Sequence, residues 1–161
     1  MKYLYALLIL AFSISAGLVE FGAQGGLLMP SGDNSDAFSA SPLIGACLLA
    51  HFPMYAVEGS ISYAFLQPEE DLEDFSASLI PVLAGIRSYT GPVFYGGGAG
   101  MYMSSVSQDT IDASDEEFGA YGNLGMIFPT GAIDIEGSIK YHLVDFDTDK
   151  AWFSLTAATY F

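Results

Sequence analysis

The most constraining feature is an alternation of period two that recurs from about residue 18 to the terminal Phe161, with no helical period replacing it. It is clearest over 132–144. There Ile133, Ile135, Gly137, Ile139, Tyr141 and Leu143 fall on one face, and Asp134, Glu136, Ser138, Lys140 and His142 on the other. Successive side chains of a strand point to opposite faces, so this segment has one apolar and one polar side. The segment 54–66 repeats the pattern, with Tyr55, Val57, Ile61, Tyr63 and Phe65 against Glu58, Ser60 and Ser62. At 18–29, Val19, Phe21, Ala23 and Leu27 oppose Glu20 and Gln24. In 74–88, Ile80, Val82, Ala84 and Ile86 share a face, which sets Arg87 on the opposite one. The stretch 40–51 is apolar on both faces, so its facing stays open. The expected strands lie at 18–29, 40–51, 54–66, 74–88, 93–104, 117–128, 132–144 and 150–161.

Alternation alone also fits a soluble barrel with its apolar face inward. The connections argue against that. Those near 51–54, 89–93 and 128–132 are short and carry Phe52-Pro53, Thr90-Gly91-Pro92 and Pro129-Thr130-Gly131. Those around 30–39, 67–73, 105–116 and 145–149 are mostly longer and polar. Long and short alternate strictly, as in barrels that cross an outer membrane with short periplasmic turns and longer external loops. An even strand number then places both chain ends on the short-turn side.

Charge follows the same division. The long connections are expected to hold Asp33, Asp36, Glu69, Glu70, Asp71, Glu73, Asp74, Asp109, Asp112, Asp115, Glu116, Glu117, Asp145, Asp147 and Asp149, while the short turns hold no acid. Ions facing lipid are costly, about 2–4 kcal/mol for Arg or Lys at mid-depth. A membrane barrel therefore has a reason to confine charge to a rim. Aromatics complete the picture. Phe52, Tyr55, Tyr89, Phe94, Tyr95 and Phe128 are expected in a girdle near the short turns, and Tyr63, Phe65, Tyr102, Phe118 and Tyr141 nearer the long connections.

The chain begins with Lys2, an apolar run from Tyr3 to Phe12, and the small residues Ser13, Ser15, Ala16 and Gly17. That order is a secretory signal, and the run is shorter than the ~20 residues of a spanning helix. Residues 1–17 are expected to be the signal peptide and 18–161 one barrel domain. Only 14% of residues are charged while 52% are apolar, against roughly 25% charged in soluble domains. An exported, apolar chain without a spanning helix points to the other spanning solution, a closed barrel. The net charge of −15, with four basic residues, excludes nucleic acid as a partner. Cys47 is alone and has no internal disulfide partner.

The sequence resembles the small outer-membrane barrel family related to OmpA and OmpX. The likeness is carried by the hairpin from Ile80 to Tyr102, with Gly96, Gly98 and Gly100 after the short turn, and by Ile135-Glu136-Gly137-Ser138-Ile139-Lys140-Tyr141-His142. It implies an all-β, eight-stranded, antiparallel up-and-down transmembrane barrel. It also implies that Phe161 is an assembly signal read by the barrel assembly machinery. The expected aromatic two residues earlier is replaced by Thr159, and Tyr160 sits on the other face.

No catalytic signature accompanies these strands. Gly96, Gly98 and Gly100 do not join a strand to a helix, so they are not a dinucleotide loop; crowding inside a narrow barrel explains them. Asp145, Asp147 and Asp149 have the spacing that opens a calcium loop, but Lys150 stands where that loop needs glycine. They are weak metal candidates, and no cofactor is expected. His142, facing the lumen near the rim, could reach Asp145. Inside the barrel, Glu20, Glu58, Asp134 and Glu136 are expected to meet Arg87 and Lys140 in a polar cluster, four acids against two bases.

The leading expectation is a monomeric structural or surface-interaction protein of the outer membrane. Lipid and lipopolysaccharide surround it, and divalent cations could meet its acidic loops. A narrow channel or small-solute binder is the first alternative, and a rim enzyme the second.

Overall fold

The computed structural model describes residues 19–68, 75–108, 111–131 and 133–161. The expected signal peptide, the side chain of Asp112, and the acidic residues Glu69, Glu70, Asp71, Glu73, Asp74 and Asp109 lie outside these. The chain forms β1 (Val19–Pro30), β2 (Phe38–Ser39), β3 (Ser41–His51), β4 (Ala56–Pro68), β5 (Phe75–Thr90), β6 (Val93–Gln108), β7 (Ile111–Pro129), β8 (Asp134–Val144) and β9 (Ala151–Tyr160). Apart from β2, each pairs antiparallel with its neighbours, and the β1–β9 and β4–β5 pairings close the sheet. The result is an eight-stranded up-and-down barrel. The two-residue β2 is a ribbon on the end of β4. Closure leaves no edge within the ring, which is what a strand needs where no water can satisfy its backbone.

The apolar faces point outward. Phe21, Ile44, Ile61, Phe65, Ile86, Leu124, Phe128, Ile139 and Leu155 are all exposed. A belt of this kind would be an aggregation surface in water, whereas lipid matches it. The open facing of β3 is settled: Leu43 and Leu49 are buried inside and Ile44 is 58% exposed. No helix among the described residues is long and apolar enough to cross a membrane.

The short turns and the chain end share one mouth. Gly91 and Gly131 take left-handed backbone, with φ of 62° and 93°, which only glycine adopts without strain. The amide of Phe161 donates to the Phe21 carbonyl at 2.8 Å, fastening the last residue to β1.

The other mouth departs from expectation. The polar stretch 105–116 is not a loop. β6 continues to Gln108 and β7 begins at Ile111, paired through Gln108↔Ile111, so only 109–110 separate them. β8 stops pairing β7 at Gly119↔Val144. Residues 111–118 of β7 therefore project past β8. Across that edge the described backbone supplies one hydrogen bond, from Asp145 N–H to the Phe118 carbonyl at 3.0 Å. At about 3.4 Å per residue, a strand as long as β7 far exceeds the ~9–11 residues needed to cross the hydrocarbon. The polar composition misleads because a strand outside lipid has no apolar face to display.

Candidate functional site

The lumen has two chemically different halves. In the half nearer the short turns, β5 aims Arg87 inward, where it is 2% exposed. Its two terminal nitrogens donate to Glu136 of β8 at 2.7 and 2.8 Å. Its Nε donates to the Tyr89 hydroxyl at 2.8 Å. The guanidinium lies 4.4 Å above the Phe94 ring, with the Tyr89 and Tyr160 rings at 5.4 and 5.7 Å. Phe94 has room because Gly125 stands opposite: a Cβ there would run into the Phe94 ring.

Glu58 of β4 completes the cluster. One of its oxygens accepts from the Tyr121 hydroxyl at 2.6 Å and from the Asn123 amide at 2.7 Å, and the other lies 3.9 Å from Arg87. Lys140 is buried, its ammonium 5.6 Å from the Tyr121 ring centre. A void of about 10 Å³ remains between Arg87, Lys140, Glu58 and Glu136, room for one water.

The expected imbalance of four acids and two bases resolves by depth. Glu58 and Glu136 are buried with Arg87 and Lys140, two against two. Glu20 instead sits half-exposed at the mouth, 3.0 Å from His51. Asp134 is exposed there too, which corrects its expected place in the buried cluster. Buried charges must be paired, and sorting by depth makes this possible.

The half nearer the long connections is apolar. Leu28, Leu43, Leu66, Leu79, Tyr102, Val144 and Trp152 pack into one core, with Phe38 of β2 laid against it. The Phe38 and Trp152 rings are 5.9 Å apart. His142 belongs to this core and is 2% exposed. Its Nδ1 shares a hydrogen bond with the Tyr102 hydroxyl at 3.1 Å, and its Nε2 one with Ser154 Oγ at 2.9 Å. The expected Asp145 contact is absent: Asp145 faces Lys150 at 3.5 Å instead.

Three members expected in the aromatic girdle point into the barrel: Phe94, Tyr102 and Tyr89, whose hydroxyl accepts from Arg87 Nε. Phe94 and Tyr102 are each 2% exposed and fill the lumen. Their parity with Gly96, Gly98 and Gly100 carried that information. Nothing in the sequence marks out Tyr121 and Asn123 as site residues, although the inward register of β7 places them beside Gly125. Tyr55, Tyr63, Phe65, Tyr95, Phe118 and Phe128 do face outward and are exposed.

At the long-connection rim, Asp33, Asp36, Asp115, Glu116, Asp145, Asp147 and Asp149 are exposed. Lys150 binds Glu117 and Asp145. Asp147 accepts from the Asp149 amide at 3.0 Å. Among the described residues no three ligating side chains converge on a metal position.

A closed antiparallel barrel, apolar outside and filled inside, defines the class: a small eight-stranded barrel of the outer-membrane type. Solved structures with this architecture include Neisserial surface protein A (TM-score 0.61, 15% identity, covering 88% of this chain and 95% of that one). Ail, the attachment invasion locus protein of Yersinia pestis, is similar at TM-score 0.56 and 18% identity, with the same coverages of 88% and 95%. So is the N-terminal β-barrel domain of Pseudomonas aeruginosa OprF, at 0.51 and 14%, covering 89% and 96%. At such identities the likeness is one of fold. No protein-family model and no curated protein sequence matches the chain.

Proposed function

We propose that this protein is exported by the signal at residues 1–17 and anchored in a bacterial outer membrane, where it acts by surface interaction and not by conducting solutes. The carrying observation is that β7 projects past β8, with residues 111–118 left as an edge above the ring. Unpaired backbone at such an edge accepts an added strand. The side chains Asp115, Glu116 and Glu117 there favour a basic partner segment, or one bridged by divalent cations. A polyanion fits poorly. Ail has been solved with the heparin analogue sucrose octasulfate, but a net charge of −15 opposes such a ligand on this chain.

The filled lumen supports the second half of the reading. Arg87, Glu136 and Glu58 close one half, and the Leu28–Trp152 core closes the other. This filling favours a non-conducting barrel over the narrow-channel alternative. The buried His142, engaged on both ring nitrogens, is a poor base for a rim enzyme. Phe161 on the outward face suits recognition during assembly.

Two measurements test this reading. Surface protease on intact cells is expected to cut only at the long connections, and the refolded barrel is expected to be silent in planar bilayers. Steady single-channel conductance, or cleavage at Gly91 or Gly131 in intact cells, would overturn it.

A further inference from the structure

The short-turn mouth holds a feature that surface interaction does not use. A half-open cavity of about 500 Å³ lies there, within the usual range for small ligands. Glu136, Tyr89 and Tyr160 form part of its lining, with the Arg87 cluster behind them. We propose that this cavity binds a small free organic ammonium ion with a hydrocarbon stem.

The charges favour a cation. Glu20, Asp134 and Glu136 line the cavity. Arg87 is committed to Glu136 through two hydrogen bonds. Lys140 lines the separate inner void, and Lys150 lies at the opposite rim. Among the described residues, no lysine or arginine lines the cavity itself. Its one basic group is His51, 3.0 Å from Glu20. Asp134 is exposed and has no ion pair among the described residues, so it is available to an incoming ammonium.

The remaining wall selects an organic cation over an inorganic one. Leu49, Ile127 and Ile133 face the same space. A hydrated metal ion gains nothing from such a wall, and no three ligands converge for it among the described residues. An alkyl stem gains from covering the wall, while its ammonium keeps charge-assisted hydrogen bonds to Glu20 and Asp134. The long-connection acids lie at the other end of the barrel, so this site stands or falls independently of the surface function.

The test is calorimetry of the full refolded barrel in a non-ionic detergent, with hexane-1,6-diamine as the probe. Saturable binding at one site is expected. Asp134→Asn is expected to weaken it by about tenfold, as is Glu20→Gln, each removing one charged contact. Ile133→Ser should weaken the diamine while leaving ammonium ion unaffected. Heat-dependent gel mobility establishes that each variant is folded; Asp134 lies on the surface, so its variant keeps the test open. The absence of saturable heat, an undiminished affinity in both acid variants, or equal competition by Mg²⁺ would overturn the proposal.

Discussion

Arg87 and Glu136 face each other across the lumen in a two-bonded pair, at 2.7 and 2.8 Å, with both side chains almost wholly out of solvent. Truncating either partner strands a charge where nothing replaces it. Arg87→Ala is expected to destabilise the barrel by about 3–5 kcal/mol, the usual cost of breaking a buried pair. Lys150→Ala, at the exposed rim, should lower the midpoint of urea unfolding from lipid vesicles far less. The double variant Arg87→Met/Glu136→Leu should recover much of the loss, because it leaves neither charge behind. Equal midpoints for Arg87→Ala and Lys150→Ala would sink this view of the lumen.

The aromatic floor under Arg87 depends on a glycine two strands away from it. Gly125→Ala would drive its Cβ into the Phe94 ring and put it 2.6 Å from the Gly137 carbonyl. Overpacking of this kind costs about 1–3 kcal/mol. The expected outcome is a lower folded fraction by gel mobility, partly restored when Phe94→Leu is added. No restoration would mean that the Gly137 backbone, and not the ring, sets the limit.

His142 bridges Tyr102 and Ser154 within an apolar core. His142→Ala leaves both hydroxyls short of a partner, and each unsatisfied group costs about 1–3 kcal/mol. A drop in unfolding midpoint is expected, with surface proteolysis unchanged. His142→Phe should fare no better, since it fills the volume without supplying either hydrogen bond. Full stability in both variants would remove His142 from the structural core and reopen its chemical role.

Much of this barrel was legible in the chain because lipid imposes a pattern on one face only. β8 and β4 alternate cleanly, and their facing was read directly. β3 was not readable: its inner face is apolar along its length, from Leu43 in the apolar core to Leu49 at the short-turn mouth, so Leu43 and Ile44 carry no contrast. Parity would have placed Phe94 and Tyr102 inside with the glycines, but closeness to a strand end suggested a girdle instead. The lumen cluster was readable as a set of residues, not as pairs. Choosing Glu136 over Asp134 as the partner of Arg87 requires knowing the depth of each along a tilted strand, which depends on the barrel's register. The extension of β6 and β7 was hidden for the opposite reason, since strands beyond the membrane need no apolar face.

Lys150 gives the long-connection rim a pH dependence with a definite sign. Its hydrogen bond to Glu117, aided by the charge of Asp145, raises its pKa above the usual lysine value. A raised pKa means that the stabilisation is fully present below the ordinary lysine value and is lost as pH rises through the folded-state value. The clip fastens the β8–β9 connection, where Asp145 and Phe146 take left-handed backbone with φ of 54° and 57°. A bulky residue such as Phe146 does not adopt that conformation freely, so the segment depends on such restraints. Limited proteolysis at the exposed Phe146 is therefore expected to proceed at one slow rate from neutral pH up to the ordinary lysine range, about 10.4. It should accelerate only above that. Lys150→Met should cleave quickly at every pH, and Lys150→Arg should stay slow throughout. Cleavage of the native chain that quickens already between neutrality and pH ~9, well below the lysine range, would show that some other group holds the connection.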